Sequence, residues 1–305
     1  MTVHELQQEI IRLKKEQGVC ILAHAYQRHD IWEIADFVGD SFGLSEKAAG
    51  ADCETLIMCG VRFMAQTAKI MSPKKRVILP VSDAGCPMAD QIEPETLEYL
   101  KAQHPGAVVV SYVNTTAEVK AHSDVCVTSS SAVKIIGRIE SRDILFVPDC
   151  NLGAWIAERL PEKNIILMRG GCPTHLRIGM AEVKAARLLH PEALLLAHPE
   201  CRPEVSAAAD FTGSTTEIMD YAENSGKKEF IIGTENSIAE HLQYLCPEKM
   251  FYPLSKDCVC HNMQLTTLMS VYNCLLGRGG EEIELAPAVS AAARRSIDEM
   301  LRLGK

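Results

Sequence analysis

Three stretches of the chain read as copies of one unit, and this repetition limits the fold more than any other feature. In each copy a short apolar run with strand character ends in a turn that presents cysteine. Ile165-Ile166-Leu167-Met168 leads through Arg169-Gly170-Gly171 to Cys172. Val77-Ile78-Leu79-Pro80 leads through Ser82-Asp83-Ala84-Gly85 to Cys86, and Met250-Phe251-Tyr252-Pro253-Leu254 leads through Ser255-Lys256-Asp257 to Cys258 and Cys260. Upstream, Leu22-Ala23-His24-Ala25-Tyr26 corresponds to Val110-Ser111-Tyr112-Val113-Asn114 and to Leu196-Ala197-His198-Pro199-Glu200. A hydroxyl residue stands 15 positions beyond the last member of each (Ser41, Ser129, Thr215), and steps of 45, 43 and 45 then reach Cys86, Cys172 and Cys260. A period of 86 or 88 residues between cysteines is too long for a solenoid and implies three small domains.

The chain of 305 residues has room for two or three such units. No apolar run approaches the ~18–20 residues of a membrane span, and Met1-Thr2-Val3-His4-Glu5-Leu6 lacks the basic-then-apolar order of a secretory signal. The expectation is a cytoplasmic protein with reduced thiols, so that twelve cysteines point to metal or catalytic roles for some of them rather than to disulfides. With a net charge of −9 and one short cationic run, Lys74-Lys75-Arg76, the chain has no footprint for nucleic acid. An anionic substrate must therefore be held by local devices.

The apolar spacing predicts helices over His4–Gln17, Ile31–Phe37, Ser41–Ala49, Val61–Met71, Pro94–Gln103, Met180–Leu189, His261–Leu276 and Pro287–Leu303. Strands are expected at Val19–Ala23, Thr55–Cys59, Val77–Leu79, Ala107–Ser111 and Ala193–Ala197, with a short one at Glu282–Leu285. Alternation of this kind argues for an α/β protein: three homologous αβα domains with short parallel sheets, arranged about a pseudo-threefold axis. The expected domains are 1–86 with 275–305, 87–172, and 173–274.

In open α/β sheets ligands bind beyond the carboxyl ends of the strands. Three units meeting at an axis would gather Cys86, Cys172 and Cys260 there, with His24, Tyr26, Tyr112, Asn114, His198 and Glu200 around them. Converging thiolates suit a soft metal centre, and no close C-x-x-C pair argues for structural zinc. A 4Fe–4S cluster held by three cysteines leaves one iron open as a Lewis acid. Spacing leaves Cys258 and Cys260 as alternatives for the third ligand. Cys20, Cys53, Cys59, Cys126, Cys150, Cys201, Cys246 and Cys274 read as packing residues. Ser41, Ser129, Ser214 and Thr215 each precede or open a helix, as plain N-caps or, if aimed at one axis, as an anion cage. His24 and His198 occupy equivalent positions beside Tyr26 and Glu200, which favours proton chemistry there. His4, His29, His104, His122, His190 and His241 read as packed or surface residues.

At these residues the sequence resembles the quinolinate synthase family. The blocks are Ala23-His24-Ala25-Tyr26-Gln27, Gly39-Asp40-Ser41, Cys59-Gly60-Val61-Arg62-Phe63-Met64-Ala65, Ser111-Tyr112-Val113-Asn114-Thr115, Thr128-Ser129-Ser130, His198-Pro199-Glu200-Cys201, Gly213-Ser214-Thr215 and Cys260-His261-Asn262-Met263. Ala25 departs from the family pattern, which commonly has Asn there. The resemblance implies a pseudo-threefold fold and an oxygen-sensitive 4Fe–4S cluster on Cys86, Cys172 and Cys260, the last favoured by its spacing to Met263. It also implies condensation of iminoaspartate with dihydroxyacetone phosphate to quinolinate in NAD biosynthesis, with coupling to an enzyme that supplies iminoaspartate. Tyr26 and Glu200 would shuttle protons aided by His24 and His198, and Tyr112 and Asn114 would orient the intermediate. Ser41, Ser129, Ser214 and Thr215 would hold carboxylates and phosphate, with Met64 lining the pocket.

Overall fold

The computed structural model describes residues 1–305. The first sheet contains β1 (Val19–His24), β2 (Phe37–Gly39), β3 (Thr55–Cys59) and β4 (Arg76–Leu79). The second contains β5 (Val108–Tyr112), β6 (Val125–Val127), β7 (Asp143–Val147) and β8 (Asn164–Leu167). The third contains β9 (Leu194–Ala197), β10 (Phe211–Thr212), β11 (Glu229–Gly233) and β12 (Met250–Pro253). In each sheet the strands lie parallel in the order second, first, third, fourth. A late strand, β13 (Glu281–Glu282), adds antiparallel to β4.

The three sheets share one register. The first strand meets the second 15 residues on: Leu22 with Phe37, Val110 with Val125, Leu196 with Phe211. It meets the third 36 on, pairing Val19 with Thr55, Val108 with Ile144 and Leu194 with Phe230. An aspartate just before each second strand repeats the 15-residue step. Asp36, Asp124 and Asp210 each accept the backbone N–H of Ile21, Val109 or Leu195 at 2.8 Å. Each clasp supplies an acceptor for a strand N–H that the short neighbour leaves unpaired.

Helices cover both faces of the first sheet, as the unbroken apolar strands require. Ile21, Ala23, Ile57 and Ile78 pack with the helices Val3–Gln17 and Leu268–Leu275. Leu22, Leu56, Met58, Val77 and Leu79 face the helices Ser41–Gly50 and Arg62–Met71. Val3–Gln17 has sequence-readable ends: Thr2 and Glu5 form a capping box, and Gly18 takes φ +63° to close the helix. The C-terminal helix Pro287–Gly304 packs mainly against Ala117–Ala121, β6 and Ala132–Arg138 of the second unit. No helix is long and apolar enough to cross a membrane.

Two sequence expectations need correction. Ile31–Phe37 is not a helix: a short turn of helix covers His29–Trp32, and Phe37 enters β2. A three-residue strand is too short to show alternation, so its apolar residues mimic a helical face. The run His261–Leu276 is also broken. A 3-10 turn spans Met263–Leu265, and a separate helix starts at Leu268 behind the Thr267 cap. The Thr267 hydroxyl accepts the Ser270 N–H at 3.2 Å, which ends one element and starts the next.

Candidate active site

The carboxyl ends of all three sheets border one cavity. His24 and Tyr26 come from the end of β1, Tyr112 and Asn114 from β5, and His198 and Glu200 from β9. The turn geometry is copied between the first and third units. Nδ1 of His24 accepts the Tyr26 N–H at 3.1 Å, and Nδ1 of His198 accepts the Glu200 N–H at 3.2 Å. Each imidazole thus holds the residue two positions on at the cavity wall. Both are buried, and burial lowers their pKa to about 4 for His24 and about 3 for His198. They stand neutral at pH 7.

Glu200 is the centre of charge in this cavity and is almost fully buried. Oε1 accepts the Tyr112 hydroxyl at 2.7 Å, and Oε2 stands 2.9 Å from Nδ1 of His175. Burial acts to raise its pKa, but His175 and His198, with the Tyr112 hydrogen bond, outweigh that and hold the carboxyl low and ionised. Beyond His175 the contacts continue: Nε2 lies 3.0 Å from the Thr234 hydroxyl, which lies 2.9 Å from the Tyr26 hydroxyl. Thr215 donates to the Tyr26 oxygen at 3.0 Å. Burial, then the Glu200 charge, raises both tyrosines well above the ordinary phenol value. They remain proton donors.

Cys86, Cys172 and Cys260 all line the cavity. A 3-10 turn begins three residues after each of them (Ala89–Gln91, His175–Arg177, Met263–Leu265), with backbone N–H groups directed at the sulfurs. Cys258 instead is buried in the third unit, its thiol 3.8 Å from the Thr174 carbonyl. Gly170 permits the turn into Cys172, since a Cβ there would stand 2.4 Å from the Pro148 carbonyl oxygen. The Gln91 side chain accepts from Gly171 N at 2.8 Å and donates to Gly171 O at 3.0 Å, fixing that turn from the 3-10 turn that follows Cys86.

The expectation of a 4Fe–4S cluster on three cysteines with one open iron is overturned here. The metal-capable atoms that come within 4.8 Å of one another belong to Cys172, His175 and Glu200: one thiol, one imidazole and one carboxylate. The reason is that the first residue of the turn after Cys172 is a buried histidine aimed at Glu200. A thiol–imidazole–carboxylate set suits a borderline-soft divalent ion.

Of the expected substrate-binding residues, Ser41, Met64, Tyr112, Asn114, Ser129 and Thr215 border the cavity. Ser214 does not. It caps the helix Thr215–Asn224, accepting Glu217 N at 3.3 Å while Glu217 accepts Ser214 N at 2.7 Å. Ser41 and Thr215 are the first residues of their helices, where backbone N–H groups are free. Asn114 Oδ1 is buried without a partner. His175 and Thr174 were missed by the repeat argument, as was Asp40, which caps the helix Ser41–Gly50 at the cavity wall. The signal for His175 was its position three residues after Cys172 on a glycine turn.

Against known families, the description "Quinolinate synthetase A protein" matches residues 8–302. The chain belongs to the quinolinate synthetase A family. Relatives run its full length: a quinolinate synthase from Caldicellulosiruptor bescii is 47% identical over 304 residues, covering 100% of both chains. One from Alkaliphilus metalliredigens is 48% identical over 295 residues, 97% of each. Quinolinate synthase 2 of Methanosarcina acetivorans is 47% identical over 294 residues, 96% of this chain and 94% of that protein. Membership of the quinolinate synthetase A family thus extends across all three sheets and the C-terminal helix.

Proposed function

We propose that the protein is a cytoplasmic quinolinate synthase of NAD biosynthesis, condensing iminoaspartate with dihydroxyacetone phosphate. The carrying observation is one cavity bordered by strand ends of all three sheets, in a chain related to quinolinate synthases over its full length. The reaction releases phosphate and two waters. It balances without an oxidant, so the site needs proton carriers and anion holders rather than an electron acceptor. A coupled enzyme would supply the unstable imine.

The common registers support three equivalent units, 1–86, 87–172 and 173–274, about a pseudo-threefold axis; of 275–305, β13 joins the first unit's sheet, while the C-terminal helix packs mainly on the second. Glu200 takes the proton removed from the condensing partner, and Tyr26, kept as a phenol, gives a proton to a departing hydroxyl. Neutral His24 and His198 flank them as hydrogen-bonding groups. Tyr112 steadies Glu200, and the unpartnered Asn114 Oδ1 takes an N–H or O–H of the intermediate. Ser41 and Thr215 at helix starts, with Ser129 in the turn before the helix Ala132–Arg138, hold carboxylate or phosphate oxygens in a cavity that no lysine or arginine borders. Met64 shapes the apolar wall. Once Glu200 has passed on its proton, a metal ion held by Cys172, His175 and Glu200 would supply a Lewis acid for the dehydrations that follow.

The test is anaerobic incubation of purified, metal-loaded protein with dihydroxyacetone phosphate and iminoaspartate generated in place, with chromatographic detection of quinolinate. Stoichiometric phosphate should accompany it. Phosphate release without quinolinate, or neither product, rejects the reading.

A further inference from the structure

Behind the cavity wall lies a residue that none of the readings above uses. Thr234 follows the last residue of β11, is fully buried, and does not border the cavity. Its hydroxyl is 2.9 Å from the Tyr26 hydroxyl and 3.0 Å from Nε2 of His175. It therefore connects the proposed acid of the first unit with the imidazole that contacts Glu200 at 2.9 Å. The two cavity residues come from different sheets, and no direct hydrogen bond joins them.

The position is also where the repeat breaks. Cys59, Val147 and Gly233 pair with the equivalent residues Ala23, Ser111 and Ala197, so the residues that follow are Gly60, Pro148 and Thr234. Only the third unit has a hydroxyl there. A buried residue whose sole need was strand geometry would not require one, as Gly60 and Pro148 demonstrate.

We propose that Thr234 is a positioning residue, whose hydroxyl sets the Tyr26 phenol and the His175 imidazole relative to each other across the first and third units. The proposal rests on the quinolinate synthase reading for its effect on turnover, but not for its geometry. A single hydroxyl can serve both neighbours because it has one hydrogen to give and lone pairs to accept with. Removing it leaves Tyr26 anchored by Thr215 alone and frees the far side of the His175 ring. Displacements near 1 Å at a reacting centre can lower rates about a hundredfold.

The experiment compares Thr234→Val, which keeps the shape, with Thr234→Ser, which keeps the hydroxyl. Crystal structures of both variants should superpose on the parent for Thr234→Ser. For Thr234→Val, the Tyr26 oxygen or the His175 ring should shift by roughly 1 Å. In the quinolinate assay, Thr234→Val should lower kcat about 10- to 100-fold with KM within about threefold, and Thr234→Ser should restore kcat to within about threefold. Unmoved side chains in Thr234→Val overturn the proposal, as do equal losses in both variants or a Thr234→Val kcat near the parent's. A parent that makes no quinolinate rejects the functional reading, while the structures still decide the role of Thr234.

Discussion

The first and third sheets agree in strand order and register, yet the loops at their ends carry different chemistry. His24 and His198 play one structural part, each holding the residue two positions on through Nδ1. That residue is Tyr26 in one unit and Glu200 in the other, and Asn114 stands at the same place in the second. One step beyond the third strand, Gly60, Pro148 and Thr234 differ again. The frame beneath stays constant, down to the aspartate that clasps the first strand at 2.8 Å in every unit. A scaffold of three alike sheets can deliver an acid, a carboxylate and a polar amide to one cavity because it tolerates any side chain at a strand end. Equivalent positions need not do equivalent work.

The largest effect that separates loop from frame is expected at Glu200. Glu200→Gln keeps the shape and an acceptor for the Tyr112 hydroxyl but removes the charge and the base. Quinolinate formation should fall about 10²- to 10⁴-fold, with the melting midpoint within a few degrees of the parent's. Turnover within about threefold of the parent would remove Glu200 from the proton path. The opposite pattern is expected in the frame. Lys249 is buried and donates to the carbonyls of Ala222, Glu223 and Ser225 at 2.7, 2.7 and 3.0 Å, closing the end of the helix Thr215–Asn224. Lys75 and Lys163 do the same after the corresponding helices, through Ala48 and Ala51 and through Ile139 and Ser141, but from half-exposed positions. Lys249→Met should cost about 2–3 kcal/mol in denaturant unfolding, because three carbonyls lose a charged donor, with turnover per folded molecule unchanged. Lys75→Met and Lys163→Met should cost less, since water replaces the donor there. Equal losses at the three lysines would show that burial does not set the cost.

The frame was legible in the sequence because its spacings are set by strand register. The 15-residue step from Tyr26 to Ser41 is the same step that pairs Leu22 with Phe37. The second strands were harder to read, since two or three residues carry too little pattern against the helices that follow. In the site, the repeat argument found His24 and His198 but hid His175. Its equivalents, three residues after Cys86 and Cys260, are the apolar Ala89 and Met263, so repetition gave no hint of a buried histidine. The choice between Cys258 and Cys260 could not come from spacing either. Both sit in one turn, and only its path sends one thiol into the third unit and the other to the cavity. The ligand grouping was misread for the same reason: a symmetric argument predicts three like residues, whereas the close set contains three different ones.

The smallest effect concerns a histidine of the frame, set against the two at the cavity. His241 is buried, stacked on Trp32 at a ring distance of 3.4 Å, and donates from Nε2 to the Gln27 carbonyl at 2.8 Å. Burial lowers its pKa from the ordinary 6.5 to about 4, the same direction as His24 and His198. In the unfolded chain the imidazole takes up a proton below about pH 6.5, while the folded chain resists until about pH 4. Protons therefore bind the unfolded state preferentially in that window, and stability falls as pH drops through it. The share of His241 at pH 5.5 is about 1 kcal/mol relative to pH 7.5. His241→Gln retains a donor for Gln27 and no longer titrates, so its unfolding free energy should lose about 1 kcal/mol less between those pH values than the parent's. Its quinolinate formation at pH 7.5 should match the parent's, because His241, on the helix Ser237–Leu245, faces Trp32, His29 and the Gln27 carbonyl and does not border the cavity. An equally steep fall in both proteins would mean that His241 is already protonated in the fold at pH 5.5, and that the cavity histidines alone account for the acid sensitivity.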